Sequence, residues 1–168
     1  MILVLFSAVD NCWKIADFGL TSRGSSQSLI TTSKSRGKDC YRAPELLREP
    51  DSVYNTKTDI WSIGCIIFEL CTGGKLFIGD WQVMGYSKGS EQRCFTLPFV
   101  YEPARKDLIA IIQNSIRINA LMRPSANNLI HALTELNDRI QTPLQRRDSV
   151  LTIAASDAIY FPTHESEW

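Results

Sequence analysis

Thr58-Asp59-Ile60-Trp61-Ser62-Ile63-Gly64-Cys65-Ile66-Ile67-Phe68-Glu69-Leu70-Cys71 is the longest strongly apolar run of the chain's middle. Wound as a helix, it carries apolar side chains on nearly every side, so no single neighbouring element could hide them all. A helix of this kind belongs at the centre of a domain, with other elements packed around it, and Ile63, Ile66 and Ile67 are expected to be largely covered. Gly73-Gly74 stops it, because glycine enters the left-handed conformation that ends a helix without a steric penalty.

Toward the C-terminus, Gly85, Gly89, Pro98 and Pro103 break up residues 80 to 104, leaving room for one short helix near Trp81 to Tyr86. From Asp107, the residues Leu108, Ile109, Ile111, Ile112 and Ile116 recur at helical spacing and predict a helix over 107–117 with one buried face. A further helix, over 126–140, opens at Arg123-Pro124-Ser125. Ser125 can cap the free amide of Asn127 or Asn128, and Leu129, Ile130, Leu133 and Leu136 form its apolar stripe. Thr142-Pro143 is expected to close it, leaving Leu144 to Trp168 as a short mixed segment.

Toward the N-terminus, Met1 to Val9 is apolar, lacks the basic flank of a secretory signal, and is cut short by the turn-forming Asp10-Asn11. With Trp13-Lys14-Ile15-Ala16 it predicts a small β-hairpin across residues 2–16. Gly19 to Arg36 contains nine Ser or Thr residues and almost no apolar periodicity, which predicts an exposed loop without helix or strand. No internal repeat is present.

At 168 residues the chain suits one domain and a tail. Its 18 basic and 18 acidic side chains cancel, giving no global attraction to nucleic acid or an anionic membrane, and no run approaches the ~18 apolar residues of a spanning helix. Five cysteines, odd in number and without a Cys-x-x-Cys pair, indicate neither a disulfide framework nor a zinc site and suit a reducing, intracellular compartment, cytoplasmic or nuclear. His131 and His164 lack the neighbours of a metal ligand.

The motifs come in an order. Asp17-Phe18-Gly19 follows a short strand, and Ala43-Pro44-Glu45 begins 26 positions after Asp17, preceded by Arg36-Gly37-Lys38-Asp39-Cys40-Tyr41-Arg42. Asp59-Ile60-Trp61-Ser62-Ile63-Gly64 lies on the apolar helix, and Arg123-Pro124-Ser125 on the approach to the last helix. Each triplet alone is a weak signal; four in this order are specific. Over residues 2 to 140 the chain resembles the C-terminal lobe of eukaryotic protein kinases. The resemblance implies a mainly α fold: a short hairpin, an activation segment and helices around a central buried helix, without the small N-terminal lobe. Residues 1–140 are then a partial kinase domain and 141–168 a tail.

The same resemblance implies roles for matching positions. Asp17 is similar to the carboxylate that holds Mg²⁺ against the ATP phosphates, where a hard cation takes oxygen ligands. Phe18 is implied to set the active or inactive pose, and Gly19 to let the backbone swing. Glu45 and Arg123 resemble the ion pair that ties the activation segment to the last helices, and Asp59 the central-helix carboxylate that accepts hydrogen bonds from the catalytic-loop backbone. Trp61 and Gly64 are expected to serve packing. Tyr41-Arg42 before Ala43-Pro44-Glu45 resembles the serine/threonine type. Lys38 stands where such kinases usually carry threonine. Thr31, Thr32 and Ser33 are phosphorylation acceptors in a basic setting, or residues of a solvated loop.

What does not occur matters as much. The Gly-rich loop, the strand lysine, and the catalytic-loop aspartate and asparagine of the family are absent from these 168 residues, so no catalytic base is assigned. Met1 stands where the metal-ligand asparagine would be. The expectation is a truncated chain, inactive alone, that takes ATP and Mg²⁺ by family likeness but does not hold them tightly. The alternative is a pseudokinase-like lobe that acts as a binding or regulatory module. Its implied partners are a protein substrate or a regulatory protein, with no nucleic acid and no membrane.

Overall fold

Helix α1, Lys57–Thr72, is the apolar stretch itself, extended by one residue at each end. Asn55 starts it: its side chain accepts from the Lys57 N–H at 2.9 Å, and its carbonyl accepts from the Thr58 hydroxyl at 2.9 Å. Gly73 ends it with φ +73°, its N–H reaching the Glu69 carbonyl at 2.7 Å. The computed structural model describes residues 3–16, 30–32, 37–48, 52–89, 95–97, 100 and 102–156.

One side of α1 is fully covered. Ile60, Trp61, Gly64 and Cys65 are buried there, and Trp61 stacks on Phe77 with ring centroids 5.6 Å apart and planes 12° from parallel. Tyr86 closes against both rings at 6.2 and 5.6 Å. Leu97, Ile112 and Ile116 complete this core. The opposite side is not wrapped as the sequence pattern suggested: Ile63, Ile66 and Ile67 are half-buried, and Leu70 is 65% exposed. The helix is therefore central to one cluster rather than enclosed on all sides.

Helix α2, Asp80–Ser87, inserts Val83 into that cluster. Helix α3, Glu102–Ser115, begins five positions before Asp107, because Pro103 sits in its first turn, where a missing N–H leaves no hydrogen bond unmade. It runs so close to α1 that a Cβ added at Gly64 would lie 2.7 Å from Ser115 Cβ and 3.0 Å from Ile116 Cγ2. Gly64 is thus the contact point of the two helices.

Strands β1, Leu3–Ser7, and β2, Cys12–Ala16, form the expected antiparallel hairpin, with Leu3 opposite Ala16 and Ser7 opposite Cys12. Asn11 takes the left-handed turn conformation at φ +49°, and Asp10 is held by the Ser7 hydroxyl and the Lys14 ammonium. A second ribbon was not foreseen. Strand β3, Ile30–Thr32, lies inside the segment read as free of regular structure and pairs antiparallel with β4, Ser52–Tyr54. The β-branched Ile-Thr-Thr run suits a strand, but only the distant Ser52–Tyr54 backbone supplies its hydrogen bonds.

Helix α4 begins at Ala126, where the Ser125 hydroxyl accepts from the Asn128 N–H at 3.1 Å, and continues to Ser156. It passes through Thr142-Pro143 instead of ending there. Proline removes one backbone donor at a cost of ~3 kcal/mol, and good helix formers such as Gln145, Arg146 and Arg147 carry the helix on. Leu129 and Leu136 are buried, whereas Ile130 is 62% exposed and off the apolar stripe. The chain divides into two units, Met1–Ala132 and Leu133–Trp168. Among the described residues no helix is long and apolar enough to cross a membrane.

Candidate functional site

The site is built on Arg123, which follows the short 3-10 turn Ala120–Met122 and whose side chain is fully buried. A guanidinium has five N–H donors and keeps its charge at any relevant pH, so burial demands an acceptor for each and a counter-ion. Both conditions are met. Nη1 and Nη2 donate to the two carboxylate oxygens of Glu45 at 2.6 and 2.8 Å. Nη1 also reaches the Lys57 carbonyl at 3.0 Å, Nε the Arg117 carbonyl at 2.8 Å and Nη2 the Ile118 carbonyl at 3.4 Å. The cation lies over the Trp61 ring, 5.1 Å from its centroid. Lys57 returns the contact, its ammonium donating to the Arg123 carbonyl at 2.5 Å.

Glu45 comes from the 3-10 turn Pro44–Leu47, 78 positions before Arg123 in sequence. The fork therefore fastens the segment around Ala43-Pro44-Glu45 to the first turn of α1 and to the start of α4 at once. Arg rather than Lys is required, since only a planar fork meets a carboxylate through two parallel bonds.

Just upstream, Tyr41 donates its hydroxyl to Glu69 at 2.5 Å, and its carbonyl accepts from Ser62 at 2.9 Å. Burial, and then the Glu69 carboxylate, push the Tyr41 phenol far above its usual range. Arg42, read from sequence only as part of the Tyr41-Arg42 approach to Ala43, makes the next lock: Nε to the Gly37 carbonyl at 2.8 Å, and Nη1 to Asp80 at 2.6 Å and Asp39 at 2.9 Å. Cys40 between them is buried and left-handed at φ +77°, a conformation that costs a non-glycine residue of order 1 kcal/mol and persists only where surroundings impose it. Neither Arg42 nor Glu69 belongs to a periodic pattern; their partners are set by tertiary proximity. Lys38 is exposed, its carbonyl accepting from the Tyr41 N–H at 3.2 Å.

Asp59 lies in the first turn of α1, beside a cleft of about 280 Å³ shared with Ile63 and Ser125. Among the described residues its carboxylate has no hydrogen-bond partner, and desolvation raises it above the ordinary carboxylate range. Cys65 is pushed up to about 12 by burial, with the Arg123 charge acting in the opposite direction. Thr31 and Thr32 lie in β3, opposite Val53 and Ser52. Asp17, Phe18, Gly19 and Ser33 fall outside the described residues. Among the described residues no three His, Cys, Asp or Glu gather as they would around a metal ion, and Asp17, the expected magnesium ligand, lies outside them.

Comparison with known proteins agrees with this architecture. The protein kinase domain model matches residues 3–137. The chain is 33% identical over 127 residues to the G2-specific protein kinase nim-1 of Neurospora crassa, covering 76% of this chain and 14% of that protein. It is 33% identical over 144 residues to the serine/threonine-protein kinase Nek11 of Homo sapiens, covering 86% and 21%, and 31% identical over 127 residues to the G2-specific protein kinase nimA of Emericella nidulans, covering 76% and 17%. The chain thus spans between 14% and 21% of the length of these relatives. With most of its length matched by that domain, and with its helical core and Glu45–Arg123 fork in place, the chain belongs to the eukaryotic protein kinase family.

Proposed function

We propose that this chain supplies part of an ATP-dependent protein kinase acting on serine or threonine of protein substrates, and that residues 1–168 alone transfer no phosphate. The observation that carries the reading is the bidentate Glu45–Arg123 fork, which holds the end of the Asp17-to-Glu45 segment against the helical core. A kinase binds its protein substrate on such a segment, and substrate is positioned only if the segment is. The Tyr41–Glu69 and Arg42–Asp80 contacts support the same reading, since they fix the stretch just before Ala43. The serine/threonine type rests on Tyr41-Arg42 and on the likeness to the human serine/threonine-protein kinase Nek11.

Mg·ATP, when bound, supplies the phosphoryl group and neutralises its charge. In this reading Asp17 offers the magnesium ion one carboxylate, and Phe18 and Gly19 govern its pose. Lys38 is a longer, charged substitute for the family threonine, and Thr31, Thr32 and Ser33 are sites at which phosphate would act on the activation segment. The kinase lobe is assigned to residues 1–140 and the tail to 141–168. Free thiols at Cys12, Cys40, Cys65 and Cys71 support an intracellular setting.

The inactivity of the isolated chain follows from the groups phosphoryl transfer needs. Asp17 is one metal contact, and Mg²⁺ keeps most of its waters when offered one carboxylate. Purified residues 1–168 are to be incubated with labelled ATP and a generic Ser/Thr substrate beside an Asp17→Ala control. The expected results are incorporation equal to the control and no thermal shift with about millimolar Mg·ATP. Incorporation above the control would overturn the claim of inactivity.

A further inference from the structure

We propose that the recess between α3, the Ala120–Met122 turn and the start of α4 is a docking pocket for a partner-protein segment that sets an apolar side chain beside a carboxylate. The inference goes beyond the kinase reading and requires no phosphoryl transfer. The recess holds about 230 Å³. Its buried members, Ile111 and Leu129, make an apolar floor, and its exposed members Arg117, Asn114 and Asn128 make the rim.

The rim's hydrogen-bonding state selects the ligand. Arg117 donates through Nε and Nη2 to Asn114 Oδ1 at 3.1 and 2.7 Å. Asn128 Oδ1 accepts from the Ser125 hydroxyl at 2.9 Å. Asn114 Oδ1 thus has both lone pairs engaged and Asn128 Oδ1 one of its two, so what the rim offers is mainly N–H: the amide NH₂ of each asparagine and the remaining guanidinium donors of Arg117. No Asp or Glu is among the lining residues. A rim of donors with one positive charge suits an acceptor carrying negative charge, and a carboxylate meets both conditions.

Size selects the class of partner. Pockets that take small-molecule cofactors run from ~300 to 1,000 Å³, so this smaller recess suits one or two side chains of a peptide. Of the lining residues Met122 is 57% exposed, and Leu121 and Ile118, one and four positions before it in sequence, are 75% and 40% exposed. Contiguous exposed apolar surface rimmed by polar groups marks protein interaction sites.

The test uses the full chain and a short fluorescein-labelled peptide with glutamate next to leucine and phenylalanine, beside a twin carrying glutamine in place of the glutamate. Anisotropy should saturate with the glutamate peptide and show roughly tenfold weaker binding of the twin, the scale of one charge-assisted hydrogen bond. Arg117→Gln should erase the difference between the peptides while leaving thermal unfolding unchanged, because the Arg117 main-chain carbonyl that serves Arg123 is untouched. Ala132→Trp, which fills the recess, should weaken both. If Ala132→Trp fails to fold, the Arg117→Gln and peptide-twin comparison decides alone. No binding of the glutamate peptide at about 1 mM, equal affinity for both peptides, or a difference that survives Arg117→Gln each overturns the proposal.

Discussion

Truncating Arg123 to alanine is the sharpest test of how this fold is held together. The substitution strands the Glu45 carboxylate, whose side chain is only 13% exposed, and leaves the Lys57, Arg117 and Ile118 carbonyls without their shared donor. It also uncovers the face of Trp61 on which the cation rests. Removing one member of a buried pair costs ~3–5 kcal/mol, because the remaining charge stays desolvated. Water reaching the exposed edge of Glu45 places the expected loss in the lower half, about 3–4 kcal/mol. Urea unfolding followed by tryptophan fluorescence reads it directly. With a slope of about 2 kcal/mol per molar urea, the midpoint should fall by about 1.5–2 M. Arg123→Lys keeps the charge but not the fork and should lose an intermediate amount. Replacing both partners, as in Glu45→Leu with Arg123→Met, should recover much of the loss, since no charge is left buried. A midpoint shift below about 0.3 M for Arg123→Ala would mean instead that the carboxylate is solvated at little cost and that the fork does not hold the fold.

Gly64 and Cys65 of the same core give three more expected outcomes. Gly64→Ala gains helix propensity but drives a methyl group to 2.7 Å from Ser115 Cβ, and overpacking of this kind should lower stability by about 1–3 kcal/mol in the same urea assay; a neutral or stabilising result would show that α1 and α3 can separate freely. The Cys65 thiol, pushed up to about 12 from an unfolded value near 9.0, keeps its proton in the folded state over a range where the unfolded chain loses it. The native state then binds more protons between about pH 9 and 12, so stability falls as pH rises through that window. At about pH 8, a thiol reagent should label the exposed Cys12 quickly and Cys65 only on unfolding, and rapid native labelling of Cys65 would contradict its burial.

Sequence alone was enough for α1 to within one residue at each end, for a hairpin turning at Asp10-Asn11, and for the Ser125 cap, because these features depend on neighbours a few positions apart. Local rules also misled. Pro103 looked like a breaker and opens α3, and Pro143 looked like a stop and lies within α4, since a proline's effect depends on whether its missing N–H had a partner to lose and on the residues that follow. The motif residues Glu45 and Arg123 could be picked out 78 positions apart, but their full donor set, with Lys57, Arg117 and Ile118 each lending a carbonyl, could not. Main-chain acceptors carry no sequence signature. The β3–β4 ribbon, the Arg42 contacts to Asp80 and Gly37, the Tyr41–Glu69 bond and the one-sided burial of α1 likewise emerge only in the folded chain. Each depends on which distant backbone or side chain arrives opposite a group once the core has closed, and residue type and spacing along the chain do not encode that arrival.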